Sequence, residues 1–223
     1  MRRFAIGDVH GCVKTLKSLL DKTLQITRDD LVILLGDYVD RGPASREVLD
    51  LIEELISNGY RVIPLRGNHD DLLVRGRFSV EFAELHLRNG GGTTLKSFSV
   101  NEHKDIPVSY VDFVDSLPFY HLEPEYVFVH ASLNVADTDP LRDLETMLWK
   151  RMDDDDRDHE GRRVVCGHTP QTLDEIRERI YDGRKIILDN GCVYSGRDGM
   201  GNLVAMDMDT MKLYAERNVD MNM

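Results

Sequence analysis

RFAIGDVHG at residues 3–11, LVILLGDYVDRG at 31–42 and RVIPLRGNHD at 61–70 repeat one arrangement three times: a short apolar run, then a glycine beside Asp, His, Asn or Arg. Between them lie two amphipathic stretches, residues 13–24 and 46–57. Short apolar runs alternating with helix-length segments read as β-α-β-α-β. In the second helix Val48, Ile52, Leu55 and Ile56 share one face, Ser45 is placed to cap the start, and Gly59 follows the end. The runs at 31–35 and 61–65 are apolar without alternation, the pattern of strands covered on both faces, although Pro64 sits awkwardly in such a strand.

Beyond this third the pattern changes. Residues 71–105 lose a clear period and contain Gly90, Gly91 and Gly92 in polar surroundings, which reads as a connection or a substrate-facing insertion. Residues 110–117 read as helix, and 126–130, 163–166, 185–188, 203–207 and 212–216 as strands, so the second half is β-rich. Together the halves predict a layered α/β sandwich with mixed sheets, one domain over residues 1–223. A net charge of −12, from 40 acidic and 28 basic side chains, argues against nucleic acid as a partner, because backbone binding depends on Lys and Arg displacing counterions. It also requires any phosphate site to gather its positive charge locally. No apolar run approaches signal-peptide or membrane-spanning length, which predicts a soluble protein with no membrane partner. Cys12, Cys166 and Cys192 form no CxxC pair and read as buried apolar residues of a reducing, cytoplasmic compartment.

The chemistry lies where strands end. Three polar clusters at the carboxyl ends of strands in one sheet can converge, since ligands of open α/β sheets bind there. Asp8 and His10, two apart on extended backbone, project to the same side and can share an ion. Asn68 and His69 are neighbours that point apart, leaving one for metal and the other for substrate. His130 and His168 end two later strands. With Asp37 the donors become Asp, His, Asp, Asn, His and His, a mixture that suits Mn, Fe or Zn better than Mg or Ca. His86, His103, His121 and His159 lack a strand-end context and read as exposed or structural; the acidic run at 153–156 reads as solvated surface.

In order, GDVHG, GDYVDRG, RGNHD, VHA and CGHT resemble the five signature blocks of the phosphoprotein phosphatase superfamily, the calcineurin-like metallophosphoesterases. The short length and Asp70 resemble the bacterial and phage branch, which also contains diadenosine-tetraphosphate hydrolases. The resemblance implies an α/β/β/α sandwich and two divalent metal ions, Mn foremost. Asp8, His10 and Asp37 would hold one ion and Asp37, Asn68, His130 and His168 the other. It implies in-line attack on phosphorus by a hydroxide between the ions, His69 as general acid oriented by Asp40, and phosphate binding by Arg41, Arg66 and Arg151. The expected activity is that of a serine/threonine protein phosphatase acting on phosphoproteins or phosphorylated small molecules. Symmetrical hydrolysis of diadenosine tetraphosphate is the alternative, and a non-catalytic phosphate-binding scaffold the third reading. His130-Ala131-Ser132 replaces a more usual His-Ala-Gly, and Asn190 a common threonine, changes expected to affect specificity rather than the ligands.

Overall fold

Strand β1 (Arg3–Ile6) pairs in parallel with β2 (Leu31–Leu34), and β2 in parallel with β3 (Arg61–Pro64). The crossovers are helix α1 (Val13–Ser18), which runs on as a π-helical stretch at Leu19–Leu24, and helix α2 (Ser45–Ser57). Helices α3 (Asn68–Phe78), α4 (Val80–His86), α5 (Gly92–Ser97) and α6 (Val108–Asp115) follow. Next come β4 (Tyr120–Leu122), β5 (Tyr126–Val129), α7 (Leu144–Trp149), β6 (Arg163–Cys166), α8 (Leu173–Tyr181), β7 (Ile186–Ile187), β8 (Asn202–Asp207) and β9 (Leu213–Arg217). The computed structural model describes all residues except 136, 152–158, 183–184 and 222–223, so the acidic run at 153–156 lies outside the described residues.

The strands form two mixed sheets, ordered β3-β2-β1-β8-β9 and β4-β5-β6-β7. Period-two alternation decides how they stack. Ala5, Ile33, Leu35, Phe128, Val165, Val204 and Met206 point inward and form one core between the sheets. Phe4, Ile6, Val32 and Leu34 point the other way and pack with α1 and α2 residues such as Leu16, Val48 and Ile52. Val127, Val129, Val164 and Cys166 face outward from the second sheet against Met147 of α7. Helix, sheet, sheet and helix therefore succeed one another, as the sequence predicts.

Several details differ from the sequence reading. β3 is an edge strand with Arg61 exposed and Val62 and Ile63 half-buried, rather than a strand covered on both faces. The Leu65 N–H bonds the Leu34 carbonyl, so by alternation Pro64 turns its donorless nitrogen to the open edge. Ser45 does not cap α2; Ala44 holds that position, and the Ser45 hydroxyl accepts from the Asp40 N–H at 3.1 Å. On α2 Ile56 is exposed while Leu49 is buried, because the packed stripe follows Val48, Leu49 and Ile52. Residues 71–105 are mostly helical, interrupted at Gly90, whose φ of 110° breaks the helix. The three cysteines are buried and free. Among the described residues no helix is long and apolar enough to cross a membrane.

Candidate active site

Parallel strands of both sheets bring their carboxyl ends to one place. β1 delivers Asp8 and His10, β2 delivers Asp37, Asp40 and Arg41, and β5 and β6 deliver His130 and His168. After β3 the chain turns directly into α3, so Asn68 and His69 occupy its first turn. Asp37 stands at the centre: its carboxylate belongs to one group with His10 and His69 and to a second with His130 and His168, the ligand atoms of each lying within 4.8 Å of one another.

Proton positions explain what these groups can hold. His10 Nδ1 donates to the Val39 carbonyl at 2.8 Å and His130 Nδ1 to that of Leu35 at 2.8 Å. Burial keeps both rings neutral, pushing His10 down to about 3 and lowering His130. Each Nε2 is therefore a bare lone pair aimed inward. His130 Nε2 lies 2.9 Å from Asn68 Oδ1 and 3.2 Å from His168 Nδ1, and those two atoms are 3.0 Å apart. With the His168 proton on Nε2, all three converging atoms are acceptors, and such a set fits a divalent metal. Burial, then neighbouring His130, pushes His168 down to about 3 as well.

The carboxylates make the same demand. Burial, reinforced by Asp189 and Asp37, raises Asp8 well above its usual range, and burial pushes Asp189 up to about 7. Three buried acids crowd one cradle. Asp37 is nevertheless held below the usual carboxylate range: burial alone would raise it, but the ring of four histidines, of which His69 is the one raised in turn, outweighs that.

Backbone geometry adds precision at a cost. His10, Asp37, Asp40, Arg41 and His168 have φ of 45°, 55°, 73°, 67° and 68°, a left-handed region that side-chain-bearing residues seldom occupy. Asp70 holds part of this in place, accepting from the N–H groups of Asp37, Tyr38 and Gly67 at 2.7, 2.9 and 2.9 Å. Gly67 is required by contact, since a Cβ there would collide with the Asp37 carboxylate and backbone.

Arg41 reaches into the cradle, its guanidinium donating to His10 Nε2 and His69 Nε2, each at 2.7 Å. A small cavity is lined by Asp37, Arg41, Asn68, His69, Asn89, Trp149, Arg151 and His168, of which Arg151 is exposed. Arg66 departs from expectation: among the described residues it does not line that cavity. It is committed to Asp115 at 2.6 Å and Asp71 at 3.3 Å, and it borders a neighbouring groove.

His69 Nδ1 donates to Asp40 Oδ2 at 2.6 Å, and both residues are buried. Behind them stand two histidines read from sequence only as exposed or structural. His86 Nε2 lies 2.8 Å from Asp40 Oδ1, and His86 Nδ1 lies 2.7 Å from His103 Nε2; both rings are buried. The Thr94 hydroxyl also donates to Asp40 Oδ1 at 2.6 Å. Burial would raise Asp40, but His69 and His86 together hold it below the usual carboxylate range. Burial, then His86, pushes His103 down to about 4. No spacing rule in the sequence marked this pair. Asp189 and Asp70 were also missed as contributors to the cradle, although Asp70 closes the RGNHD block and Asp189 directly follows the strand read at 185–188. Asn190 has a structural explanation, because its amide donates to the Gln171 and Gly199 carbonyls and accepts from Asn202.

Layered mixed sheets with paired cation-binding clusters at their carboxyl ends define a metallophosphoesterase, a hydrolase dependent on divalent metal ions. The chain belongs to the calcineurin-like phosphoesterase family, whose profile matches residues 1–209. It is 29% identical over 221 residues to the asymmetrical bis(5'-nucleosyl)-tetraphosphatase PrpE of Halalkalibacterium halodurans, covering 86% of this chain and 85% of that protein. It is 31% identical over 133 residues to the symmetrical bis(5'-nucleosyl)-tetraphosphatase of Aromatoleum aromaticum, but spans only 45% of that relative's length. A protein serine/threonine phosphatase from Saccharomyces cerevisiae shares the fold at a TM-score of 0.66 and 19% identity, covering 100% of this chain and 78% of that one.

Proposed function

We propose that this protein hydrolyses dinucleoside polyphosphates of the diadenosine tetraphosphate type, with two divalent cations, manganese foremost. This reading takes the place of the protein phosphatase activity expected from the motifs. The observation that carries it is the relative matched over 86% of the chain, whose name is that of a bis(5'-nucleosyl)-tetraphosphatase. The five motifs alone do not separate the two activities, because both need the same cradle.

In this reading Asp8, His10 and Asp37 hold one ion and Asp37, Asn68, His130 and His168 the other. Bound divalent ions acidify water and neutralise phosphate charge. Arg41 and Arg151 present planar donor forks to phosphate oxygens, supplying the local positive charge that a chain of net charge −12 must concentrate. To act as the acid His69 takes up a proton on Nε2, the atom that accepts from Arg41 in the structure, and passes it to the departing oxygen. Burial opposes the charged ring, but Asp37 and Asp40 raise its pKa, and Asp40 keeps the other ring nitrogen protonated and the ring oriented. In this reading Arg66, paired with Asp71 and Asp115, stays outside the phosphate-binding set.

The deciding experiment compares kcat/KM for diadenosine tetraphosphate with that for a phosphothreonine peptide, using manganese-loaded protein. The dinucleotide is expected to win by at least about tenfold. A preference for the peptide restores the phosphatase reading, and no turnover of either, or of p-nitrophenyl phosphate, leaves the scaffold. Product analysis separates symmetrical cleavage, to two ADP, from asymmetrical cleavage, to AMP and ATP.

A further inference from the structure

A groove of ≈ 740 Å³ opens beside the metal cradle. Trp149 lines both the groove and the small phosphate-sized cavity, so the two spaces share one wall. The groove's other apolar surfaces are Phe82, Leu85, Phe119, Leu144 and Leu148, and two guanidinium groups sit over its rings: Arg75 at 3.4 Å from the Phe82 centroid and Arg66 at 4.8 Å from that of Phe119. Phe82, Phe119 and Trp149 are half-buried. Neither the proposed metal ligands nor the proton-donating pair explains this surface.

We infer that the groove is a nucleobase subsite, binding the purine of a nucleotide whose phosphate occupies the adjoining cavity. This deepens the reading under Proposed function and rests on it. The volume falls within the range of small-ligand pockets, and aromatic rings bordered by guanidinium groups suit stacking of a base. An extended peptide would find less to bind here, because the groove's acids are partly spent: Asp71 is paired with Arg66 and Arg75. Arg66 thereby gains an account that phosphate binding does not give it. Held by Asp71 and Asp115, it stiffens the Phe119 side of the groove.

Trp149 is the single tryptophan of the chain, so intrinsic fluorescence reports on the wall itself. The experiment titrates metal-loaded protein with AMP and with ribose 5-phosphate, which carries the same phosphate without a base. AMP is expected to quench Trp149 saturably and bind about tenfold or more tighter than ribose 5-phosphate, the size of one stacked base. Phe82→Ala should weaken AMP about tenfold while shifting the sugar phosphate much less, and Phe82→Tyr should restore AMP binding. Equal affinities for the two ligands, or an equal loss of both in F82A, would overturn the subsite. Tight AMP binding in a protein that prefers phosphopeptides would sink the dinucleotide reading and leave the subsite standing. Dinucleotide turnover without any AMP advantage would sink the subsite alone.

Discussion

Replacing Asp40 by asparagine changes charge with almost no change of shape. The residue sits at φ 73°, a conformation Asn adopts as readily as Asp, and its side chain is fully buried. The Asn oxygen can still accept from Thr94, but the amide offers no negative charge to His69 and cannot accept from His69 and His86 through both of its ends. A hydrogen bond to a charged group contributes about 1.5–3 kcal/mol, which corresponds to roughly 10- to 150-fold in rate if the His69 proton is needed only in the transition state. The assay is kcat across aryl phosphates at fixed manganese, with metal content measured in parallel. The loss should approach the upper figure for phenyl phosphate, whose leaving oxygen is as basic as tyrosinate. It should shrink towards the lower figure for p-nitrophenyl phosphate, which departs with little protonation. Equal losses on both substrates with metal retained would refute His69 as a proton donor governed by Asp40.

Gly67→Ala should leave the sheets folded but displace Asp37, costing about 1–3 kcal/mol in stability and roughly 10- to 100-fold in metal affinity, read by denaturant titration and by metal content after dialysis. Unchanged metal content would show that the close approach is incidental. Phe128→Ala empties the middle of the inter-sheet core and should destabilise the protein by about 3–5 kcal/mol in urea unfolding; a loss under 1 kcal/mol would mean that the sheets do not pack through this ring.

The first two strands were legible because burial on both faces wrote uninterrupted apolar runs, and their ends were legible because the chemistry-bearing residues follow at once. β3 was read correctly as a strand and wrongly as one covered on both faces, since apolar composition reports hydrophobicity and not how much of a strand its neighbours cover. Only Pro64 carried the clue. Residues 71–105 hid three helices because α3 is buried on nearly every side and so displays no amphipathic stripe, while α4 and α5 are only 7 and 6 residues long with a glycine triplet between them. Helix α8 was missed although Thr172 and Glu175 form a capping box that the sequence displays. At the site, residues in strand-end motifs were found, and those acting through helix packing were not. His86 meets Asp40 only because α4 packs behind the β2 loop, a relation with no signature in spacing.

The left-handed backbone at His10, Asp37, Asp40, Arg41 and His168 sets evolution of heat resistance against evolution of turnover. Each such residue carries a conformational penalty of about 1–3 kcal/mol that glycine would relieve. A library screened for survival on heating alone would therefore enrich glycine at these five places, and the hardiest clones would be the least able to hydrolyse anything.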